Sequence, residues 1–333
     1  MVRQHAGGYL FQAALLVGAL IMPALAGPYW VHVGTLAWYY ALLAASWALL
    51  AGSAGQFSFA HMAFAALGGY GSALLVQLAG LPMAAATLAS LLLAAVVGAA
   101  MGWLVLRLSG PYLALFTLAI AEIFHLLLVA EQELTRGSMG LPVTGLFSGD
   151  SDVPYYYLGL VLVLLALAVM SWLLRTRIGL FLRAIREDEE AAEASGVNTT
   201  YYKILVFTLT SVIASVAGVF YGQFIGILTP TIVILPEMGL VIAMAVIGGI
   251  ESLPGAVMGA VGVYLLSEAL RDYGQLRFVF LGIALILVQR FAQNGLYPLI
   301  EQILSSKARA AGRPSNGTPA PASTQALGGK RAK

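Results

Sequence analysis

Ten long apolar runs follow one another along the chain, at roughly 9–27, 30–51, 60–79, 82–107, 111–130, 154–174, 204–228, 237–250, 254–271 and 276–297. A helix that crosses a bilayer needs about 20 such residues. In hydrocarbon every backbone N–H and C=O must be paired inside the protein, which leaves helices or closed barrels. Barrel strands alternate apolar and polar residues; these runs are continuous, so the reading is an all-α polytopic membrane protein. Composition agrees. Of 333 residues, 60% are hydrophobic and 10% charged, with a mean hydropathy of +0.89, against about 25% charged in soluble domains. The eighth run is short, and is expected to be tilted, broken, or fused with the ninth across Glu251–Pro254. Pro82, Pro111, Pro154 and Pro236 stand at helix starts, where a missing N–H costs nothing.

Charge sets the expected orientation, because cytoplasmic loops are enriched in Lys and Arg. If ten spans alternate, Arg3, Arg107, the cations of 175–203 and the tail residues Lys307, Arg309 and Arg313 fall on one side. The other side receives Glu131, Glu133, Asp150, Asp152 and Asp272, with Arg136, Arg271 and Arg277. Both termini are therefore expected in the cytoplasm. Ala24-Leu25-Ala26 resembles a signal-peptide cleavage site, but the preceding apolar stretch is long and further spans follow it. Five spans on each side of the midpoint predict two halves of inverted topology, with a weak echo between Ala63–Gly69 and Ala243–Gly249. Residues 1–304 are expected to form one transmembrane domain and 305–333, rich in Ala, Gly, Pro and Ser, a disordered tail.

Against this apolar background, residues 175–203 (RTRIGLFLRAIREDEEAAEASGVNTTYYK) hold ten ionisable groups. Glu187–Ser195 is expected to be a short helix with acids at its positive end, closed by Gly196. Ile178, Leu180, Phe181, Leu182 and Ile185 give the preceding segment an apolar side, flanked by Arg183 and Arg186. Such an element suits insertion into another protein; a solvated loop is the alternative. In Gly52–Gly69, Ser53, Gln56, Ser58 and His61 cluster at a helix break, which either lines a pathway or is a plain turn and cap. Glu122 and His125 share a helix face. An acid at membrane depth costs about 2.5–3.5 kcal/mol, so the pair is expected to face the interior, where a proton relay is one reading. Thr135–Gly140 (TRGSMG) is an outer gate or an ordinary loop. Glycines at four-residue spacing, Gly98/Gly102, Gly218/Gly222/Gly226 and Gly255/Gly259, predict close helix packing. The chain has no cysteine, no metal-ligand spacing among His5, His32, His61 and His125, no phosphate loop, no nucleophile elbow and no HExxH.

Five blocks in order resemble the permease subunits of ATP-binding-cassette importers for branched-chain amino acids, of the M type. They are 175–207, GQFSFAHMAFAALGGYGSALL, LSGPYLALFTLAIAEIFHLLL, TRGSMGL and VIGGIESLPGAVMGAVG. The resemblance implies a permease of the bacterial inner membrane that is not itself an enzyme. Its implied partners are a paralogous permease, two ATPase subunits carrying ATP and magnesium, and an extracytoplasmic solute-binding protein; no nucleic acid is implied. By the same resemblance 175–203 is the coupling loop, with Glu190, Ala191, Ala192 and Gly196 on its EAA…G positions and Arg183 and Arg186 beside them. Gln56, Ser58, His61, Glu122 and His125 are pathway candidates, and Thr135, Gly137 and Gly140 outer-gate candidates. Two departures stand out: Arg136 occupies a position where the family often has glycine, and Phe57-Ser58-Phe59-Ala60-His61 replaces Leu-Ser-Leu-Gly-His. Related permeases carry urea, short amides or other small polar solutes. A carrier driven by protons at Glu122 and His125 is the rival of a different class.

Overall fold

The computed structural model describes residues 6–299, apart from 106, 107, 109, 148, 150, 275, 293 and 294. The expected tail 305–333, Arg107 and Asp150 lie outside the described residues. The helices are α1 (Ala6–Leu25), α2 (Pro28–Ala48), α3 (His61–Ala79), α4 (Met83–Val105), α5 (Pro111–Ala130), α6 (Val153–Arg175), α7 (Arg177–Glu187), α8 (Glu189–Ala194), α9 (Thr199–Ile225), α10 (Leu235–Gly248), α11 (Leu253–Ala269) and α12 (Leu276–Phe291). Six helical stretches among them are long and apolar enough to cross a membrane, and four shorter apolar helices match the remaining runs. This is an all-α polytopic membrane protein. The eighth and ninth runs are not fused: Gly249–Ser252 forms a turn between α10 and α11.

α2 is the axis of the bundle. Trp47, Tyr39, Leu42, Leu43, Leu49 and Leu50 are fully buried, and α11, α6, α9 and α10 surround it. Its alanines at 41, 44, 45 and 48 are buried too, which lets neighbouring backbones come close. In lipid that closeness matters, because dispersion rather than water exclusion joins helices. α9 forms the second seam, against α3 and α4. A Cβ added to Gly218 would lie 1.7 Å from the Ala65 carbonyl oxygen, and one on Gly68 2.3 Å from that of Ser215. A Cβ on Gly98 would lie 2.0 Å from Ser211 Oγ. The α10–α11 hairpin closes in the same way, with Gly248 against Gly255 and Gly259 against Met244. The four-residue glycine spacing thus marks real seams, except at Gly226, which caps α9 with φ 77°.

α2 ends in a π-helical turn, Leu49–Ser53, after which the chain runs non-helically to His61. At the opposite face of the bundle, β1 (Leu141–Pro142) pairs antiparallel with β2 (Ile227–Leu228), Leu141 opposite Leu228 and Pro142 opposite Ile227. A 3₁₀ turn, Pro230–Val233, leads from there into α10.

Candidate functional site

The charged island folds as a two-helix unit. Thr176 Oγ1 accepts from the Ile178 amide to start α7. Asp188 divides the island: its amide donates to the Ala184 carbonyl, and its carboxylate accepts the Ala191 amide at 2.9 Å as the N-cap of α8. The expected single helix from Glu187 to Ser195 is therefore corrected to α8 alone, because an extended Asp188 (φ −155°) serves better as a cap than as a helical residue. Gly196 closes α8 with φ 86°, its amide bonded to Glu193 O and that of Val197 to Ala192 O, the paired bonds of a left-handed helix stop. Asn198 then caps α9, accepting from the Tyr201 amide at 3.0 Å.

The apolar side of α7 is turned to its own bundle rather than offered to another protein. Leu182 and Ile185 are buried, and the Phe181 ring lies 5.0 Å from that of Tyr202. Leu180 is exposed. What faces outward is α8: Glu190, Ala191 and Gly196 are exposed, as is Arg183 on α7, whereas Ala192 is buried against the chain. Two ion pairs fix the unit from behind. Glu189 accepts from the Lys203 ammonium, which is only 9% exposed on the second turn of α9. Arg186 donates to the Gly52 carbonyl and to the Glu251 carboxylate.

The helix break lies against this unit. Ser53, Gln56, Ser58 and His61 are all buried. Trp47 Nε1 donates to the Ser58 carbonyl at 2.9 Å, and the Phe59 amide donates to Thr117 Oγ1 at 3.0 Å, which ties the break to α5. Both ring nitrogens of His61 and Oε1 of Gln56 lack a partner of good geometry among the described residues. Gly55, at φ 69°, sits against the Arg186 side chain. The island, the break and the α10–α11 turn therefore share one face of the bundle.

Glu122 and His125 are corrected in one respect. They meet at 3.3 Å, but the Glu122 side chain is 50% exposed and points away from the chain's own interior. The fully buried residues of α5 are Leu113, Thr117, Ala121 and Leu128, and Glu122 lies on the surface of the subunit. Thr135, Gly137 and Gly140 build a compact cap on α5. Thr135 Oγ1, buried, donates to the Leu128 carbonyl at 2.8 Å and accepts from the Gly137 amide at 3.3 Å. Gly137 and Gly140 take φ of 52° and 85°. Arg136 is the one non-glycine with positive φ (60°) among the described residues; its backbone explains why glycine suits that position.

Three features were not found from sequence: the Glu189–Lys203 pair, the inward turn of Arg186, and Glu251 as its partner. A signal did exist for the last. Alternation of ten spans places Arg186 and Glu251 in turns on the same membrane face.

A multi-pass helical bundle with a self-capped charged unit on one face and a polar break beside it has the make-up of a membrane permease. The family model described as "Branched-chain amino acid transport system / permease component" matches residues 30–289, and the chain belongs to that family. Among curated relatives, the high-affinity branched-chain amino acid transport system permease protein LivM of Escherichia coli K12 is 30% identical over 330 residues, 91% of this chain and 78% of the relative. LivH of the same organism is 31% identical over 261 residues, 71% and 82% of the two chains. The fructose import permease protein FrcC of Rhizobium meliloti is 33% identical over 138 residues, 38% of each. No solved structure matches the chain significantly.

Proposed function

We propose that this chain is one of two membrane-spanning subunits of an ATP-driven importer for leucine, isoleucine and valine, fed by an extracytoplasmic binding protein. It crosses a bacterial inner membrane ten times in two inverted halves, with both termini and the α7–α8 unit in the cytoplasm. Two ATPase subunits, which carry the ATP and magnesium, dock on the exposed face of α8; this chain hydrolyses nothing.

The observation that carries the reading is the construction of α8. Six residues are too short to persist alone, yet α8 has an aspartate cap, a glycine stop and an ion pair to α9. Its outer face, with Glu190, Ala191 and Gly196, is exposed. A short helix held so firmly and left bare suits transmission of a push. Names of relatives supply the solute class: LivM and LivH are branched-chain amino acid permeases.

The test is reconstitution of the chain in liposomes with its neighbouring permease, ATPases and binding protein. ATP-dependent accumulation of radiolabelled leucine, indifferent to a protonophore, is the expected result. Uptake by the single chain that needs no ATP and collapses with the proton gradient would replace this reading with the carrier built on Glu122 and His125.

A further inference from the structure

The turn between α10 and α11 takes no part in the coupling loop, yet its carboxylate reaches across to it. One guanidinium, that of Arg186, bonds three segments together: its own helix α7, the end of α2 through the Gly52 carbonyl, and the α10–α11 turn through Glu251. Arginine suits this because its planar fork aims separate N–H groups at separate acceptors. Gly52 lies in the π-helical turn that ends α2, where carbonyls have no further helical amide to accept from. The α10–α11 turn is pressed onto that end: a Cβ on Gly52 would lie 1.9 Å from the Ile250 carbonyl oxygen.

What hangs from Glu251 is a stiff piece. α10 and α11 meet backbone to backbone at Gly248, Gly255 and Gly259, and close-packed elements move as bodies rather than deform. α8 lies one residue beyond the end of α7, across Asp188, and is pinned to α9 by Glu189 and Lys203. Besides the apolar packing of α7 on the bundle, a displacement of the α7–α8 unit therefore has two polar outlets. One runs through Lys203 into α9; the other runs through Arg186 into the end of α2 and the α10–α11 hairpin.

We propose that Glu251 is a positioning residue of the transport cycle, which makes the α10–α11 hairpin follow the α7–α8 unit by holding the Arg186 guanidinium. The proposal rests on the importer reading given above. The pair is not a folding element: the Arg186 and Glu251 side chains are 37% and 66% exposed, and exposed pairs contribute little to stability. Its effect belongs to motion.

The experiment uses the complete importer in liposomes and measures radiolabelled leucine moved per ATP hydrolysed. Glu251→Ala should lower that ratio about threefold to fivefold, the upper part of what a partly exposed ion pair supplies, while ATP hydrolysis stays within about twofold of wild type. Glu251→Asp should keep most of the ratio. Arg186→Ala should share the defect and, having also lost the Gly52 carbonyl, exceed it, and the double variant should be no worse than Arg186→Ala alone, as a coupled pair requires. A wild-type ratio in Glu251→Ala, or additive losses in the double variant, overturns the proposal while leaving the importer reading intact. A wild-type complex that moves no leucine on ATP removes the importer reading and the proposal with it.

Discussion

Alanine at position 218 should loosen the bundle at its tightest seam. The added Cβ would lie 1.7 Å from the Ala65 carbonyl oxygen, 2.4 Å from its carbon and 2.8 Å from its Cα. All three are backbone atoms in the second turn of α3, so no side chain can swing aside. Restoring ordinary contact near 3.5 Å needs α3 and α9 to part by roughly 1.8 Å, and a gap of even 0.5–1 Å forfeits about a quarter to a half of each dispersion contact. Overpacking of this kind costs about 3 kcal/mol, the upper part of its usual range. Alanine's better helix propensity returns about 1 kcal/mol, for a net loss of about 2 kcal/mol. Gly262 on α11 is the control, because a Cβ there meets nothing within 4 Å; Gly262→Ala should gain up to about 1 kcal/mol. Thermal unfolding of both variants in detergent, followed by tryptophan fluorescence, should separate their midpoints by about 5 °C or more. Equal midpoints would refute the claim that this seam admits only glycine.

The other outcomes concern the charged unit and the acid on α5. Gly196→Val places a β-branched residue at φ 86°, a backbone cost of about 2 kcal/mol; hydrogen exchange should rise at the end of α8, and ATP-driven uptake should fall without change in the isolated ATPases. Glu189→Ala leaves the 9%-exposed Lys203 ammonium without its carboxylate and should cost about 2 kcal/mol, less than a fully buried pair, whereas Lys203→Met should be milder in the same thermal assay. Glu122→Gln should retain ATP-driven uptake that a protonophore leaves unchanged; loss of uptake would shift the function to the proton-coupled class.

How much of this was legible in the sequence depended on which physical rule applied. Helix positions were, because a lipid solvent writes its demand on every residue: the fifth run, 111–130, coincides with α5, and Pro111 marks its first residue. The start of α9 was placed five residues late, because Thr199–Lys203 is polar and a hydropathy reading discards it, although Asn198 is a good cap. Asp188 was read as part of a helix for a similar reason, since a run of four acids hides which one is the cap. The apolar side of α7 is legible in the sequence, but its neighbour is not. Amphipathicity says that a surface is covered, not by what, and Leu182 and Ile185 are covered by the chain itself. Glu122 illustrates the converse: an acid at membrane depth demands polar surroundings, and nothing in the demand says that its own subunit supplies them. The link from Arg186 to Gly52 and Glu251 depends on three distant segments meeting, which no local pattern records.

The shortness of α10 has a further consequence. Fourteen residues rise about 21 Å, while the hydrocarbon layer is about 30 Å thick. If α10 is a span, as proposed, the missing height falls to Ile227–Val233, a short strand and a 3₁₀ turn roofed by the strand at Leu141 and held by the Tyr70 hydroxyl on the Leu228 carbonyl. In the proposed orientation the outer lip of the bundle is thus two storeys of chain between helices. An epitope tag or a fluorophore attached at the upper storey, where Met139 is 88% exposed, leaves the fold untouched, whereas one inserted in the lower storey strips the cover from peptide groups that have no water to turn to.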